Sequence, residues 1–338
     1  MVYEGFLDKV GSTPVVHITL KEFDNINLYV KQEFMNPSGS VKDRAADHII
    51  RTLLETGEIN SETTIIESSS GNFGIALATF CKKYGLTFLC VINPNISPIN
   101  EAIIHSMEAK VIKVMEPDAY GGFLKTRINK VQELLREIPN SYWINQYGNT
   151  LNSSAYYYTL GEEICRQVSD VDYVFLGVSS GGTITGVSQK VKERCPKAKI
   201  IAVDIVGSVI FGGPGKKRYI PGIGSSMVPD IIRNARIDDV VMVDEVSTVK
   251  SCHEIARDHF ILAGGSSGSV LYAVKQYFKN KRFIRKPNVV MIFADRGDRY
   301  VNTVYNEAWC TRFFHSQSES IGSYILSEYQ NDKKNVLV

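Results

Sequence analysis

The sequence lacks the features that mark several common classes of protein. Its 338 residues contain no long apolar run and no block of like charge, and the net charge is +2. A membrane-spanning helix needs about 20 largely apolar residues, and a nucleic-acid or anionic-membrane surface needs clustered Lys and Arg. We therefore expect no nucleic-acid partner and no membrane. Glu4, Asp8 and Lys9 interrupt the apolar residues at the start, so no signal peptide is expected.

Cysteine and histidine are sparse and scattered, with six of each and no C-x-x-C pair. His253 and Glu254 begin an H-E pair, but Arg257 stands where a zinc protease has its second histidine. We therefore expect no metal site, and unpaired thiols are typical of a reducing cytoplasm. The sequence also lacks G-x-G-x-x-G and a Walker lysine, which disfavours a nucleotide-binding protein. No Ser-His-Asp order or carboxylate pair indicates another catalytic centre.

What the sequence does contain is an α/β pattern, in which short β-rich runs alternate with helical periodicity. The predicted strands cover residues 28–31, 64–67, 87–92, 110–115, 173–178, 199–204, 240–243 and 288–293. The predicted helices cover residues 45–54, 73–83, 99–107, 125–137, 155–167, 182–192, 249–260 and 270–278. Several strands are apolar on both faces, as in a covered parallel sheet. The elements fall into two groups around residues 146–152, which predicts two α/β domains with a cleft between them.

One lysine occupies an unusual position. Lys42 follows a loop rich in Pro, Ser and Gly and directly precedes the apolar-periodic segment 45–54. Ser38, Gly39 and Ser40 are residue types of turns and helix N-caps, which places Lys42 in the first helical turn. The positive end of the helix dipole lowers the pKa of a lysine there, and carbonyl chemistry requires a neutral amine. Taken alone, a solvated lysine at a helix start is the simpler interpretation.

Further glycine-serine loops occur at residues 67–74, 177–186, 220–226 and 263–269. Serine hydroxyls and backbone N–H groups at a helix N-terminus form sites for a carboxylate or a phosphate. Each loop alone is equally typical of a plain turn or cap. One lysine together with several such loops on an α/β scaffold predicts a Schiff-base cofactor that bears a phosphate, namely pyridoxal 5'-phosphate (PLP).

In this order the loops resemble those of the fold-type II PLP enzymes, in the cysteine synthase and cystathionine β-synthase family. The likeness runs from residues 11–14 (GSTP) to residues 295–300 (DRGDRY). It implies a tryptophan synthase β-like α/β fold, with two open twisted domains, the cofactor in the cleft, and a homodimer. The resemblance implies a smaller, mobile substrate-loop domain at residues 1–12 with 36–146. It implies a larger PLP-binding domain at residues 13–35 with 147–315, and a peripheral tail at residues 316–338.

The resemblance also implies roles for individual residues. Lys42 would be the Schiff-base lysine and the base for the α-proton, Asn72 would bond the 3'-oxygen of PLP, and Ser266 would bond the pyridine nitrogen. A neutral serine there weakens the electron sink, which favours elimination. The implied phosphate cradle is Ser179, Ser180, Gly181, Gly182 and Thr183, and the implied loop for the substrate carboxylate is Ser69, Ser70 and Gly71.

The implied reaction is β-replacement, in which a serine derivative loses its leaving group to give an α-aminoacrylate and a second substrate adds at Cβ. Departures from the cysteine synthases lie at Phe73, Arg296 and residues 117–127, 146–152 and 207–212. In these departures the chain is similar to the siderophore-pathway branch of the family, the N-(2-amino-2-carboxyethyl)-L-glutamate synthases. Enzymes of that branch join O-phospho-L-serine to L-glutamate, release phosphate, and supply 2,3-diaminopropionate biosynthesis.

A phosphoserine substrate brings about two negative charges on its phosphate, so its site should supply a cation and extra donors. Arg127 and Tyr147 are our candidates, with Gln146 beside them and Ser180 nearby. The simpler alternatives are a solvated helix arginine and a packing tyrosine, and the sequence does not decide between them. The carboxylates of glutamate also need a cation, for which the candidates are Lys216, Lys217, Arg218 and Arg296.

Other functions remain open at this point. A cysteine synthase, which uses sulfide with O-acetylserine or O-phosphoserine, shares every core motif, so only the departures separate it. A catalytically silent regulator that binds PLP or an amino acid is disfavoured by the intact Lys42, Asn72 and Ser266.

Overall fold

Two β-sheets covered by helices organise the chain in the computed structural model, which describes residues 4–21, 23–117 and 122–314. The strands are β1 (Val15–Leu20), β2 (Phe23–Gln32), β3 (Thr64–Ser68), β4 (Thr87–Ile92), β5 (Lys110–Lys113), β6 (Ser141–Trp143), β7 (Val171–Gly177), β8 (Lys199–Ile205), β9 (Asp239–Val243) and β10 (Asn288–Phe293). A six-stranded sheet has the order β1-β2-β10-β7-β8-β9, and a four-stranded sheet has the order β5-β4-β3-β6. Neighbouring strands pair in parallel, apart from the antiparallel β1 and β2. The predicted tail, residues 316–338, lies outside the described residues.

Helices connect the strands and cover both sheets. They are α1 (Lys42–Thr56), α2 (Asn72–Lys83), α3 (Pro98–Ser106), α4 (Leu124–Glu137), α5 (Thr150–Tyr156), α6 (Glu162–Gln167), α7 (Gly182–Arg194), α8 (Glu245–His259), α9 (Gly265–Phe278) and α10 (Glu307–Phe314). A π-helical turn, Tyr157–Gly161, joins α5 to α6, so the helix predicted over 155–167 is interrupted. Such turns interrupt the regular hydrogen-bond ladder of a helix.

The predicted strands are all present, to within a few residues at each end. The sequence reasoning missed β1 and β6. Strand β1 is an edge strand with several exposed residues, and β6 has only 3 residues, so neither carries the apolar run that reveals a covered strand. The short helix α10 was also not predicted.

The central strands are buried on both faces, which explains their continuous apolar runs. In β8, Ile200, Ile201, Ala202 and Val203 are all 0% exposed. Because β2, β7 and β10 run parallel in one sheet, the loops that follow them leave the same edge of that sheet. The carboxyl edge of a parallel sheet is where α/β proteins place their ligands. The fold therefore places the lysine loop after β2 and the glycine-serine loop after β7 at a common edge of the sheet.

A buried ion network ties α1 to the six-stranded sheet. Arg44 of α1 donates from Nε to Glu33 Oε2 at 2.7 Å and from a terminal nitrogen to Glu163 Oε1 at 2.7 Å. Lys31 Nζ of β2 donates to Glu163 Oε2 at 2.6 Å. The side chains of Lys31, Glu33 and Arg44 are 0% exposed. Removing one partner of such a group leaves an uncompensated buried charge. Because Lys42 lies two residues before Arg44, the network also holds the start of α1 in place.

We expect Glu33→Gln to lower the free energy of unfolding by about 3–5 kcal/mol, because Arg44 would keep its charge in the interior without its main partner. Urea denaturation followed by circular dichroism measures the loss. Glu108→Gln is the matched control, since Glu108 pairs with Lys82 on the exposed surface and surface pairs contribute little. Equal unfolding midpoints for the two variants would show that the buried network adds no measurable stability.

Candidate active site

A cleft at the carboxyl edge of the six-stranded sheet brings the lysine loop together with three of the four glycine-serine loops, 177–186, 220–226 and 263–269. Lys42 and Ser266 both line it. The rest of its lining is Val41, Leu176, Gly177, Val178, Ser179, Ser180, Gly181, Thr183, Ile184, Gly222, Ile292 and Ala294. The structure therefore unites residues that stand more than 200 positions apart in the sequence.

Lys42 is the first residue of α1, as predicted. The N-cap is Val41, which makes no side-chain capping hydrogen bond, while the expected Ser40 accepts from the Lys42 N–H through its hydroxyl at 3.3 Å. Ser38 instead donates its backbone N–H to the Asp43 carboxylate at 2.6 Å. Burial lowers the pKa of Lys42 to about 8, and the negative charge of Asp295 opposes that shift. The predicted lowering of the Lys42 pKa is confirmed, but the main cause of the shift is desolvation rather than the helix dipole.

The loop after β7 turns sharply into α7. Gly181, the N-cap of α7, has φ of 85°, a left-handed conformation that favours glycine. A Cβ on Gly182 would lie 2.3 Å from Asn152 Oδ1, so a larger residue does not fit there. The first N–H groups of a helix have no partner within the helix. At this cleft they and the hydroxyls of Ser180 and Thr183 form a built anion cradle.

Ser266 lies in the first turn of α9, opposite the cradle, and is 5% exposed. No hydrogen-bond partner for its hydroxyl is found among the described residues, although the group faces the cleft. A Cβ on Gly177 would lie 3.3 Å from the Ser266 Cβ, which is tighter than most side-chain contacts. The glycine therefore leaves room in front of a hydroxyl that is available to a ligand.

Asn72, the first residue of α2, belongs to a buried hydrogen-bond network. Its Nδ2 donates to Asp295 Oδ2 at 2.6 Å, and its Oδ1 accepts from the Arg299 guanidinium. The Tyr300 hydroxyl also donates to Asp295 Oδ2, at 2.7 Å. Arg299 donates in addition to the carbonyl oxygen of Ser38, in the lysine loop. Apart from Arg296, which we considered as a cation for glutamate, the sequence reasoning used residues 295–300 only to establish the resemblance.

The loop between β3 and α2 is held from inside the protein. The Ser69 hydroxyl accepts from the Gly74 N–H at 3.0 Å, which caps the start of α2. The Ser70 hydroxyl accepts from the Asn93 N–H at 3.2 Å and from the Arg127 guanidinium at 3.2 Å. The Gln146 amide donates to the carbonyl of Ser68, also at 3.2 Å. Arg127 and Gln146, both singled out from the sequence, therefore contact this loop directly.

Arg127, Tyr147 and Arg218 form a basic region beside the loop. Burial lowers the pKa of Arg127, but a guanidinium stays charged at neutral pH. Burial raises the pKa of Tyr147 to about 12, and attraction from Arg127 and Arg218 opposes that rise. Arg127 is thus not a solvated helix arginine. Glu67, which the sequence reasoning passed over, is also buried here, and burial raises its pKa to about 7. Half-protonated near neutral pH, Glu67 neutralises the region only in part.

The structure separates the four cations that we considered for a second substrate. Lys216, Lys217 and Arg296 are exposed, and Arg296 Nε donates to the Phe34 carbonyl at 3.2 Å. Arg218 is half-buried, and its Nε is buried without a partner among the described residues. Of the four, only Arg218 acts electrostatically on Tyr147. It is therefore the cation of this set that joins the basic region.

A family model described as pyridoxal-phosphate dependent enzyme matches residues 6–295 of the chain. The chain belongs to this family. The O-acetylserine dependent cystathionine β-synthase from Helicobacter pylori has a similar solved structure, at 33% identity and a TM-score of 0.84 over 90% of this chain and 100% of that one. The α/β fold is therefore that of the fold-type II PLP enzymes, as the resemblance implied, and the chain is a PLP-dependent synthase of the β-replacement family that acts on small amino-acid substrates.

Other members of the PLP-dependent family have similar structures. An O-ureido-L-serine synthase is 27% identical, with a TM-score of 0.84 over 91% of this chain and 96% of that one. A hydrogen sulfide-producing enzyme from Fusobacterium nucleatum is 28% identical, with a TM-score of 0.82 over 88% of this chain and 100% of that one. These names give different products, and one of them specifies O-acetylserine as a substrate, so the family alone does not select one substrate pair.

Features of the cleft itself, independent of the family match, fit PLP, the cofactor of the family. It contains a lysine amine with a lowered pKa, an anion cradle at the N-terminus of α7, and a serine hydroxyl without a protein partner. The described residues hold no cluster of His, Cys, Asp or Glu arranged for a metal ion. Within the same residues, no helix is long and apolar enough to cross a bilayer.

We expect the Lys42 amine of the cofactor-free protein to become reactive at about pH 8, well below the usual lysine value of 10.5. Burial disfavours the ammonium form, so the neutral, reactive amine is populated at lower pH. Acetylation with a limiting amount of acetic anhydride across a pH series, read by peptide mass spectrometry, measures the midpoint. Exposed lysines in the same digests give the internal comparison. A Lys42 midpoint equal to theirs would contradict the burial argument.

Proposed function

We propose that this PLP enzyme joins O-phospho-L-serine to the amino group of L-glutamate, giving N-(2-amino-2-carboxyethyl)-L-glutamate and phosphate. The observation that carries the proposal is that two partly buried guanidinium groups, Arg127 and Arg218, both act electrostatically on Tyr147. A phosphate leaving group carries about two negative charges and needs such cations. A neutral acetyl group does not.

For the cofactor, we propose Lys42 as the lysine that carries PLP, Asn72 as the partner of its 3'-oxygen, and Ser266 as the partner of its ring nitrogen. Its phosphate would lie on the cradle formed by Ser179, Ser180, Gly181, Gly182 and Thr183. When bound, PLP supplies an aldehyde for the lysine and the substrate, and a ring that accepts electron density from Cα. The free Ser266 hydroxyl and the unpaired N–H groups of α7 support this orientation.

The protein's own groups then perform distinct tasks. The Lys42 amine takes the proton from Cα of the substrate, and its lowered pKa keeps it neutral and ready to do so near pH 8. Ser69, Ser70 and Gly71 bind the substrate carboxylate, with Gln146 holding their loop from the Ser68 carbonyl. Arg127 stabilises the charge that develops on the departing phosphate, with Tyr147 as a hydrogen-bond donor. Burial keeps Tyr147 protonated for that task.

For the nucleophile, glutamate brings carboxylates that sulfide does not have. Arg218 offers a guanidinium whose Nε has no partner among the described residues, and it acts on the same tyrosine as Arg127. A carboxylate is the natural bidentate partner for such a group. This favours an amino-acid nucleophile. The second candidate function is a cysteine synthase with O-acetylserine or O-phosphoserine, which the 33% identity to the Helicobacter pylori O-acetylserine dependent enzyme supports.

We further propose a smaller mobile domain, residues 1–12 with 36–146, and a larger one, residues 13–35 with 147–315. The four-stranded sheet falls within the first and the six-stranded sheet within the second, which supports this division. We also propose that the protein forms a homodimer and that it acts in the cytoplasm.

The experiment that tests the function mixes the loaded enzyme with O-phospho-L-serine, with and without L-glutamate, and follows phosphate release and product mass. We expect sustained release only with glutamate, and a product whose mass is that of the adduct of the two amino acids. Lys42→Ala should abolish both turnover and the visible absorbance of the bound cofactor.

Two results would contradict the proposal in different ways. Turnover with sulfide but not with glutamate would make the protein a cysteine synthase and remove Arg218 from the nucleophile site. Near-normal turnover by Lys42→Ala would instead remove the lysine assignment.

We expect Arg127→Ala to raise the KM for O-phospho-L-serine by roughly 10- to 150-fold, since a hydrogen bond to a charged group contributes about 1.5–3 kcal/mol. The KM for O-acetyl-L-serine should change much less, because its leaving group carries no charge. Steady-state kinetics with both substrates measure the difference. Arg136→Ala, on the exposed end of the same helix, is the matched control. Equal effects on the two substrates would remove Arg127 from the phosphate site.

A further inference from the structure

Asp295 is a buried carboxylate that the proposed reaction leaves without a task. It is 2% exposed, and its Oδ2 accepts hydrogen bonds from Tyr300 and Asn72. Its other oxygen, Oδ1, is buried with no hydrogen-bond partner among the described residues. Burying a carboxylate oxygen without a partner costs free energy, so such an atom calls for an explanation.

The backbone places Asp295 beside the catalytic lysine. The Val41 N–H donates to the carbonyl of Ala294 at 2.8 Å, and Ser40 pairs with Asp295 in an antiparallel bridge. The Asp295 carboxylate is the charge that acts on Lys42, where it raises the pKa against the effect of burial. The chain therefore holds the carboxylate next to the start of α1 through hydrogen bonds that do not involve its side chain.

The packing around Asp295 shows that this position is built for a carboxylate. A Cβ on Gly264 would lie 1.8 Å from Asp295 Oδ1, so only glycine leaves room for the unpaired oxygen. The Gly264 N–H donates to the backbone oxygen of Asp295 at 3.0 Å, which holds the two residues together. Gly264 in turn is the N-cap of α9, which carries Ser266.

The charged and titratable groups that act on Asp295 include one cation, Lys42, whose amine has no hydrogen bond or ion pair among the described residues, and none joins it to the free oxygen. They are Lys42, Arg299, Tyr300, Cys252 and Tyr305. The tyrosines and the cysteine are neutral near pH 7, because burial raises the pKa of each. The Arg299 guanidinium is engaged with the Asn72 and Ser38 oxygens.

We propose that Asp295 is a positioning residue that holds a proton on the Lys42 nitrogen, by attraction from its ionised carboxylate. The inference rests on the role proposed for Lys42, and it applies whichever nucleophile the enzyme uses. The carboxylate acts while the nitrogen is linked to the cofactor and again after the nitrogen has taken the Cα proton. In that second step the C–H electron pair stays with the substrate, the proton moves to Nζ, and Asp295 remains ionised throughout.

The test is the pH titration of the visible absorbance of the loaded enzyme, which reports the proton on the cofactor-linked nitrogen. In Asp295→Asn we expect that proton to be lost at a pH about one unit or more below the wild-type midpoint, because a nearby opposite charge shifts a pKa by about 1–3. Asp298→Asn makes the same change on an exposed residue of the same segment, and we expect the wild-type midpoint from it.

A second variant keeps the proposal testable if Asp295→Asn packs badly. Asp295→Ser removes the charge with a smaller side chain and should lower the midpoint in the same way. If neither variant binds cofactor, the midpoint of Lys42 acetylation in the cofactor-free proteins gives the same comparison, with a lower value expected in both variants. An unchanged midpoint in the variants, by either measurement, would overturn the proposal and show that Asp295 is protonated or serves packing alone.

The two proposals fail separately. The titration uses neither O-phospho-L-serine nor glutamate, so a wrong substrate assignment leaves its result intact. A loaded Lys42→Ala enzyme that keeps the wild-type visible titration would remove the lysine assignment, and with it the role of Asp295.

Discussion

The buried ion network at the start of α1 is the interaction on which the rest of the structure depends. Arg44 joins Glu33 and Glu163 in the interior, where the Glu163 side chain alone keeps an exposure of 10%, and Lys31 completes the charge balance. Four charges buried together are tolerable only in one arrangement, since each needs the others. This arrangement sets the position of α1 against the six-stranded sheet. It therefore sets where the Lys42 amine enters the cleft.

Desolvation makes each charge of that network costly without its partners. It also shifts the pKa values of other buried groups, including Lys42. Burial lowers the pKa of Lys42 and raises the pKa values of Glu67, Tyr147 and Asp295. The lysine moves toward a neutral base, and the tyrosine remains a hydrogen-bond donor. The same low-dielectric surroundings strengthen the attraction between each buried charge and its neighbours. Burial thus shifts the pKa values of Lys42 and Tyr147 in directions that favour a neutral lysine amine and a protonated tyrosine.

The parts of the cleft differ in how far they depend on one substrate. Under the proposed assignment the cradle before α7 and the hydroxyl of Ser266 would bind PLP, the cofactor of the family. The basic region around Tyr147 lies at the loop that would hold the substrate, where Arg127 contacts Ser70. Two similar structures that are named for different serine derivatives, O-acetylserine and O-ureido-L-serine, share the fold at a TM-score of 0.84. Specificity in this fold therefore depends on a few side chains placed around a constant cofactor site.

The sequence by itself determined the α/β class, the covered strands and the position of Lys42 at a helix start, because apolar runs and turn residues are local signals. It also indicated the glycine-serine loops, since a sharp turn such as that at Gly181 demands glycine. Only the tertiary structure decided which side chains meet. Glu67 and Arg127, Arg218 and Tyr147, and Asp295 and Lys42 act on each other electrostatically across sequence separations of 60 residues or more. Burial and electrostatic attraction act through space, so their effect on Lys42 becomes visible only when the sheet edge brings distant loops together.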